Sequence, residues 1–478
     1  MLLRVIGWLL IIEAIFMLAP CIVGFIYDEH SGLKFLICIG ITLGTGLSMV
    51  SLKSKSRDMA KREAIILTGL TWIVLSAFGM LPFLFCGTHM SITDAFFETM
   101  SGFTTTGASV LDTLHGVPHS ILLWRCVVQW IGGLGIILFT LAVLPMLNYQ
   151  GGIQLFNAEV TGITHDKLRP RVSFTAQSLW GVYLILTLIC IGLLCLSELS
   201  VFEAFCYGLS TMSTGGFATQ DTSISDLGNL YIKVVLIIFM FMGGVNFSLL
   251  YKLVTGKFKE FFQNEVIRWY IIIIIIFAVV LALNVLVTGL MDNWEDVTID
   301  PLFQTVSLIS STGLVEPDFY DWGAVPVILL VIMMIMGACA GSTAGGAKID
   351  RFVVLFKFIK NEFHKLMHPN AITTVTLNGK GTPSPVLMKT LAFLFLYIAV
   401  IIFGGSILVV MDLPLKDSFF IALSAVSNTG LGTDITGFNG NYALIPDVSK
   451  WFVSFLMLVG RLELFTILIL FFPSFWRK

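Results

Sequence analysis

Long apolar runs separated by short polar stretches dominate this chain. Val5 to Tyr27, Phe35 to Leu52, Ile271 to Val287, Ala392 to Met411 and Trp451 to Phe472 approach or exceed the length a helix needs to cross about 30 Å of hydrocarbon. A β-barrel would instead show short segments of alternating hydrophobicity. The runs predict ten crossings: a pair within residues 1–60, then 64–85 with 119–147, 172–197 with 228–253, 267–290 with 323–360, and 385–411 with 449–473. Between the members of each later pair lies an amphipathic piece of about a dozen residues, such as Asp94 to Ser101, which is too short to cross. Each such piece is expected to enter the membrane as a re-entrant helix and turn back. Non-helical backbone at that depth is tolerated only where protein buries it or it lines water, so four such turns in quasi-fourfold array imply a central pore.

Every piece ends in a Thr-Gly pair. The four copies are Thr104-Thr105-Thr106-Gly107, Met212-Ser213-Thr214-Gly215, Ser310-Ser311-Thr312-Gly313 and Ser427-Asn428-Thr429-Gly430. Phe97, Phe205, Phe303 and Phe420 stand ten residues before these glycines. Asp94, Asp300 and Asp417 stand thirteen before, while the second copy has Phe202 there and Glu203 one position later. The motif recurs about every hundred residues, too long for a soluble solenoid repeat but suited to a unit with two spans. The expected organisation is therefore an N-terminal helix pair over 1–60 and four units over 61–150, 151–256, 257–370 and 371–478, the third with a broken second span.

Composition agrees with a polytopic membrane protein: 56% of residues are hydrophobic and 12% charged, against about 45–50% and about 25% in soluble domains. The mean hydropathy is +0.92. The first apolar run lacks a small-residue cleavage site and is read as a retained span. Eight cysteines without a CxxC pair point to buried small side chains and not to a metal or disulfide framework. The net charge of −2 matters through its distribution. Basic residues cluster in alternate loops (Lys53 to Arg62, Lys167 to Arg171, Lys252 to Arg268, Lys348 to Lys389) and at Arg477 and Lys478. The intervening loops carry Asp221, Asp226, Asp292 to Asp300 and Glu316 to Asp321. The positive-inside rule then puts both termini in the cytoplasm and all four Thr-Gly copies toward the outer face, where carboxylates would concentrate cations.

A bare cation crosses only if oxygen dipoles replace its hydration shell, and backbone carbonyls do so without a trapping charge. Glycine reaches positive φ freely, which lets successive carbonyls point inward. The candidate ion-binding residues are Thr105, Thr106 and Gly107; Ser213, Thr214 and Gly215; Ser311, Thr312 and Gly313; and Asn428, Thr429 and Gly430. The plainer alternative is that each Thr-Gly pair merely ends a helix, a reading weakened by four copies in register.

With these motifs the chain resembles the membrane subunit of the Trk/Ktr/HKT superfamily of potassium transporters. The resemblance covers nearly all residues from about 64 onward, and the extra N-terminal pair is similar to the Trk branch. It implies an all-α polytopic fold of four span, pore-helix and span units around a central pore. Gly107, Gly215, Gly313 and Gly430 would be filter glycines binding potassium, and Gly107 in place of serine favours potassium over sodium. It further implies a homodimer in the bacterial inner membrane, contacting lipid. A cytoplasmic ring of RCK-type, TrkA-like subunits would dock on it, and any NAD or ATP would belong to that ring. No cofactor in this chain, no nucleic acid and no enzymatic activity are expected.

The third unit departs from the others. Gly337 to Lys348 is a run of small residues, including Gly341, Ser342, Thr343, Ala344, Gly345 and Gly346, and is a poor helix interior. Its residues alone fit either a break or close helix packing; the resemblance implies an intramembrane gate beneath the filter. The glycine spacing of 341–346 is not a phosphate loop, since Ala347 stands where the lysine should be. Arg461 lies inside the last span, where a charge faces a cavity or a partner; the residues leave open a structural ion pair, and the resemblance implies a gating role. Lys348 and Arg351 read as inner-leaflet anchors or as part of the same gate. Gly132-Gly133-Leu134-Gly135 reads as packing, Asn246-Phe247-Ser248 as a glycosylation pattern out of reach within an apolar segment, and His165, His364 and His368 as solvated or lipid-facing. The alternative to a channel-like pathway is an ion-coupled secondary transporter, which inverted repeats would have supported; these units repeat in one orientation.

Overall fold

The structure is a computed structural model, and it describes residues 2–52, 61–133, 135, 172–221, 229–289, 293–315, 322–371, 373–433, 435–437 and 441–477. The basic clusters at 53–57 and 167–171, the acidic residues Asp226, Asp292 and 316–321, Leu134 and His165 lie outside them.

Helices α1 (Leu2–Phe16) and α2 (Leu18–Ile26) run on as one span and pair with α3 (Ser31–Ser51). Glycine sets how closely they meet: a Cβ on Gly7 would lie 2.7 Å from the Gly46 carbonyl oxygen, the small-residue contact that membrane helices favour. Glu29, in the turn before α3, ties this pair to the rest. It accepts hydrogen bonds from the His119 backbone N–H at 2.6 Å and the Ser120 hydroxyl at 2.8 Å.

Unit one comprises α4 (Lys61–Gly79), α5 (Leu81–Phe85), α6 (Ile92–Phe103) and α7 (His119–Gly133). Unit two comprises α8 (Val172–Leu194), α9 (Val201–Ser213), α10 (Leu230–Gly243) and α11 (Phe247–Val254). Unit three has α12 (Phe258–Gln263), α13 (Glu265–Thr288), α14 (Trp294–Ile309), α15 (Ala324–Met336) and α16 (Ile349–Met367). A two-stranded hairpin, β1 (Thr376–Leu377) with β2 (Lys380–Gly381), leads to unit four: α17 (Ser384–Val410), α18 (Leu415–Ser427), α19 (Asp447–Arg461), α20 (Leu464–Leu468) and α21 (Pro473–Trp476).

The short helices α6, α9, α14 and α18 are largely buried among the others, as re-entrant pieces must be. Local chemistry starts two of them. The Ser91 side chain accepts from the Asp94 N–H, and Ser200 with Glu203 forms a reciprocal capping box.

Single crossings were expected in units one, two and four and a break only in unit three; the second spans of units two and four depart from this. Among the described residues, α7, α10, α15 and α19 all stop after 13 to 15 residues. The chain then turns by 112° between α10 and α11 and by 119° after α19. Glycines near three of these helix ends are tightly packed. A Cβ would meet the Tyr270 hydroxyl at 2.2 Å from Gly244, the Ser213 Cα at 2.9 Å from Gly133, and the Val426 carbonyl oxygen at 2.2 Å from Gly460. Among the described residues six spans are long and apolar enough to cross, or eight if each bent pair is one span, and α15 is a shorter apolar helix.

Candidate ion pathway

Each short helix ends in the same backbone figure. The residue after its last turn is left-handed at Thr105, Thr214, Ser311 and Asn428, with φ between 52° and 54°. Two residues on, φ is positive again at Gly107 (85°), Gly216 (79°), Gly313 (76°) and Gly430 (77°). The N–H of the residue between them donates to a carbonyl five positions back: Thr106 to Ser101 at 2.9 Å, Gly215 to Ser210 at 3.0 Å, Thr312 to Ser307 at 2.9 Å and Thr429 to Ser424 at 3.1 Å.

This geometry shifts the second copy by one residue. Aligning on Thr-Gly pairs Gly215 with Gly107, whereas the backbone pairs Gly216 with Gly107 and Gly215 with Thr106. The shift repairs two irregularities of the repeat. Glu203 now stands with Asp94, Asp300 and Asp417, and Cys206 replaces Phe205 beside Phe97, Phe303 and Phe420. Burial agrees, since Cys206 is fully buried and Phe205 is 44% exposed. Two adjacent glycines in Ser213-Thr214-Gly215-Gly216 left the register ambiguous in sequence.

The four turns close on one another in a ring. A Cβ on Gly107 would lie 2.3 Å from the Gly215 oxygen, on Gly216 2.0 Å from that of Thr312, on Gly313 2.3 Å from that of Thr429, and on Gly430 2.2 Å from that of Thr106. Turn one abuts turn two, two abuts three, three abuts four and four returns to one. On the side of the loops that follow the turns, a cavity of about 320 Å³ is lined by Gly107, Gly216, Gly313 and Gly430 together with Asp112 and Asp221. Hydroxyl pairs brace three turns: Thr104 with Thr106 at 2.8 Å, Ser310 with Thr312 at 2.7 Å and Ser427 with Thr429 at 2.9 Å.

Ion pairs between neighbouring units hold the ring, and these were not apparent in the sequence. Lys450 at the start of α19 meets Asp94 of unit one at 2.6 Å, and Lys233 at the start of α10 meets Asp300 of unit three at 2.7 Å. Both lysines sit in the first turns of their helices. Arg125 is buried against Glu98 at 2.7 Å and lies over the Phe217 ring at 4.1 Å.

Against the helix ends that precede the turns lies the chain from Gly337 to Lys348, which is a loop and not a packed helix. The Gly345 N–H donates to the Ser311 hydroxyl at 2.5 Å, and the Gly346 N–H to the Ser427 carbonyl at 3.0 Å. The Thr343 hydroxyl donates to the carbonyls of Gly243 at 3.0 Å and Met212 at 3.2 Å. Gly341 accepts from the Phe247 N–H at 2.9 Å, and the Ser342 hydroxyl donates to the Cys339 carbonyl at 2.6 Å. The loop thus touches units two, three and four.

Arg461 adds unit one. Its guanidinium donates to the Thr105 hydroxyl at 3.0 Å, to the carbonyls of Thr343 and Gly132 at 2.7 Å each, and to that of Gly133 at 2.5 Å. Glu463 pairs instead with Arg351. Lys348 and Arg351 are buried and donate to the Ala344 and Ala347 carbonyls. The leaflet-anchor reading therefore gives way to a place in the loop assembly. Asn246 caps α11 and donates to the Ala340 carbonyl at 2.7 Å. His364 and His368 are exposed.

The fold defines a multi-pass α-helical membrane protein in which one backbone turn recurs four times. The chain belongs to the TrkH family, described as cation transport proteins, whose match spans residues 33–478; these are transporters and not enzymes. It is 34% identical over 486 residues to the Trk system potassium uptake protein TrkH of Escherichia coli K12, covering 99% of each chain. It is 32% identical to TrkG of the same organism, covering 99% of this chain and 97% of that one. The crystal structure of the potassium transporter TrkH from Vibrio parahaemolyticus matches with a TM-score of 0.89 at 31% identity, over 100% of this chain and 99% of that one.

Proposed function

We propose that this chain takes up potassium across the bacterial inner membrane through a channel-like pathway, with both termini in the cytoplasm. The observation that carries this reading is the cyclic closure of four positive-φ glycines, each against the next turn's carbonyl, at a cavity whose lining includes Asp112, Asp221 and Arg125. Backbone oxygens in such a ring replace the hydration shell of a cation without fixing it in place. The short helices end at the ring, so their C-terminal partial charges favour a cation there. Three turns supply Thr106, Thr312 and Thr429, and the second supplies Gly215, so the site is asymmetric.

In this reading the loop from Gly337 to Lys348 is the gate. It is held closed by Ser311, Ser427 and Arg461, whose positive charge opposes cations below the ring. Regulation comes from a cytoplasmic RCK-type, nucleotide-binding subunit docking on the basic inner elements of a homodimer, consistent with relatives named as members of a Trk system. The test is potassium or rubidium uptake in cells lacking other uptake systems, with that subunit present. Uptake that depends on this chain is expected, and no uptake would sink the reading.

A further inference from the structure

We propose that Gln129 of α7 is a positioning residue that sets ion specificity by completing the second turn from a neighbouring unit; this rests on the ring being the selective site. In turns one, three and four a threonine side chain stands behind the ring carbonyl, at Thr106, Thr312 and Thr429. Turn two has Gly215 there. The space is not empty: a Cβ on Gly215 would lie 2.3 Å from the Gln129 Cδ.

Gln129 also bonds three polar groups of turn two. Its Nε2 donates to the Gly215 carbonyl at 2.7 Å, and its Oε1 accepts from the Ser210 hydroxyl at 3.1 Å and the Phe217 N–H at 3.2 Å. In the other turns the serine or threonine two positions earlier bonds to the threonine hydroxyl. In turn two the corresponding Ser213 hydroxyl goes to the Ser210 carbonyl at 3.0 Å.

The four units carry the second half of the argument. Gln129 stands ten residues after the first residue of α7. The same position in α10, α15 and α19 is Met240, Met334 and Met457. All four side chains are buried. The chain thus uses methionine three times with threonine in the turns, and glutamine once, in the helix that packs on the turn lacking threonine. A fully buried glutamine is costly unless bonded, and here each polar atom has a partner in turn two. One consequence is that the Gly215 carbonyl spends a lone pair on an amide, which fixes its direction and weakens it as an ion ligand.

The test is a substitution cycle in the full-length protein reconstituted into bilayers, read as the potassium-to-sodium permeability ratio. Gln129→Met keeps the volume and removes the bonds; the ratio should fall about threefold to tenfold, the size of one net hydrogen bond. Gly215→Thr alone should abolish conduction through collision with Gln129. The double variant Gln129→Met with Gly215→Thr recreates the pairing of the other units and should recover selectivity beyond either single change. A wild-type ratio in Gln129→Met, or a double variant no better than Gly215→Thr, overturns the proposal; should Gln129→Met not fold, the double variant decides. A purely structural role would lower the yield of folded protein without moving the ratio. If Gly313→Ser also leaves the ratio unchanged, the filter reading fails with it; if Gly313→Ser moves the ratio and Gln129→Met does not, only this inference fails.

Discussion

Gly216 faces the Thr312 carbonyl so closely that a single added carbon would sit 2.0 Å from its oxygen. The contact joins units two and three and identifies Gly216, not Gly215, as the second unit's ring glycine.

Gly216→Ala should therefore abolish potassium uptake while Gly116→Ala spares it. Both glycines have positive φ, 79° and 85°, but nothing lies within 4 Å of a Cβ on Gly116. Alanine at Gly116 meets only backbone strain of about 1–3 kcal/mol. At Gly216 the same strain is joined by displacement of a ring carbonyl. Rubidium uptake by the two variants at matched expression is the check.

The spans, the four short helices and the ring turns were legible because apolar length and the repeated Thr-Gly are local signals. What escaped was decided by contacts between distant residues. The breaks after Gly243 and Arg461 arise where second spans meet other helices. The register of turn two depends on which of two adjacent glycines takes positive φ. Lys233 and Lys450 became intelligible only once Asp300 and Asp94 were seen beside them. The small residues of Gly337 to Lys348 fitted either a break or close helix packing, and what separates the two is again contact with distant residues of units two, three and four.

Arg461 binds four acceptors contributed by Thr105, Gly132, Gly133 and Thr343. Arg461→Met should free the loop and remove these four hydrogen bonds. Hydrogen bonds to charged groups are worth about 1.5–3 kcal/mol each in net terms, so a lowered melting temperature should accompany raised basal rubidium flux in proteoliposomes. Flux at or below the wild-type level would remove Arg461 from the closed gate.

Glu29 offers a test by pH at the N-terminal pair. Burial alone would raise its carboxyl. Hydrogen bonds from the Ser120 and Ser31 hydroxyls and from the backbone N–H groups of His119 and Ser120 outweigh it and hold Glu29 below the ordinary glutamate value of 4.5. A depressed folded-state value stabilises above the unfolded value and is lost as pH falls through the folded one. Melting temperature should thus drop as pH falls below about 5, and Glu29→Gln should flatten that dependence while lowering stability at neutral pH.

The central claim is that the ring formed by Gly107, Gly216, Gly313 and Gly430 selects potassium. The reversal potential of the purified protein in a potassium–sodium gradient, compared with that of Gly313→Ser, tests it most directly. A serine side chain there would begin 2.3 Å from the Thr429 carbonyl oxygen. A shift toward the sodium equilibrium potential is predicted, and an unchanged reversal potential would contradict the account.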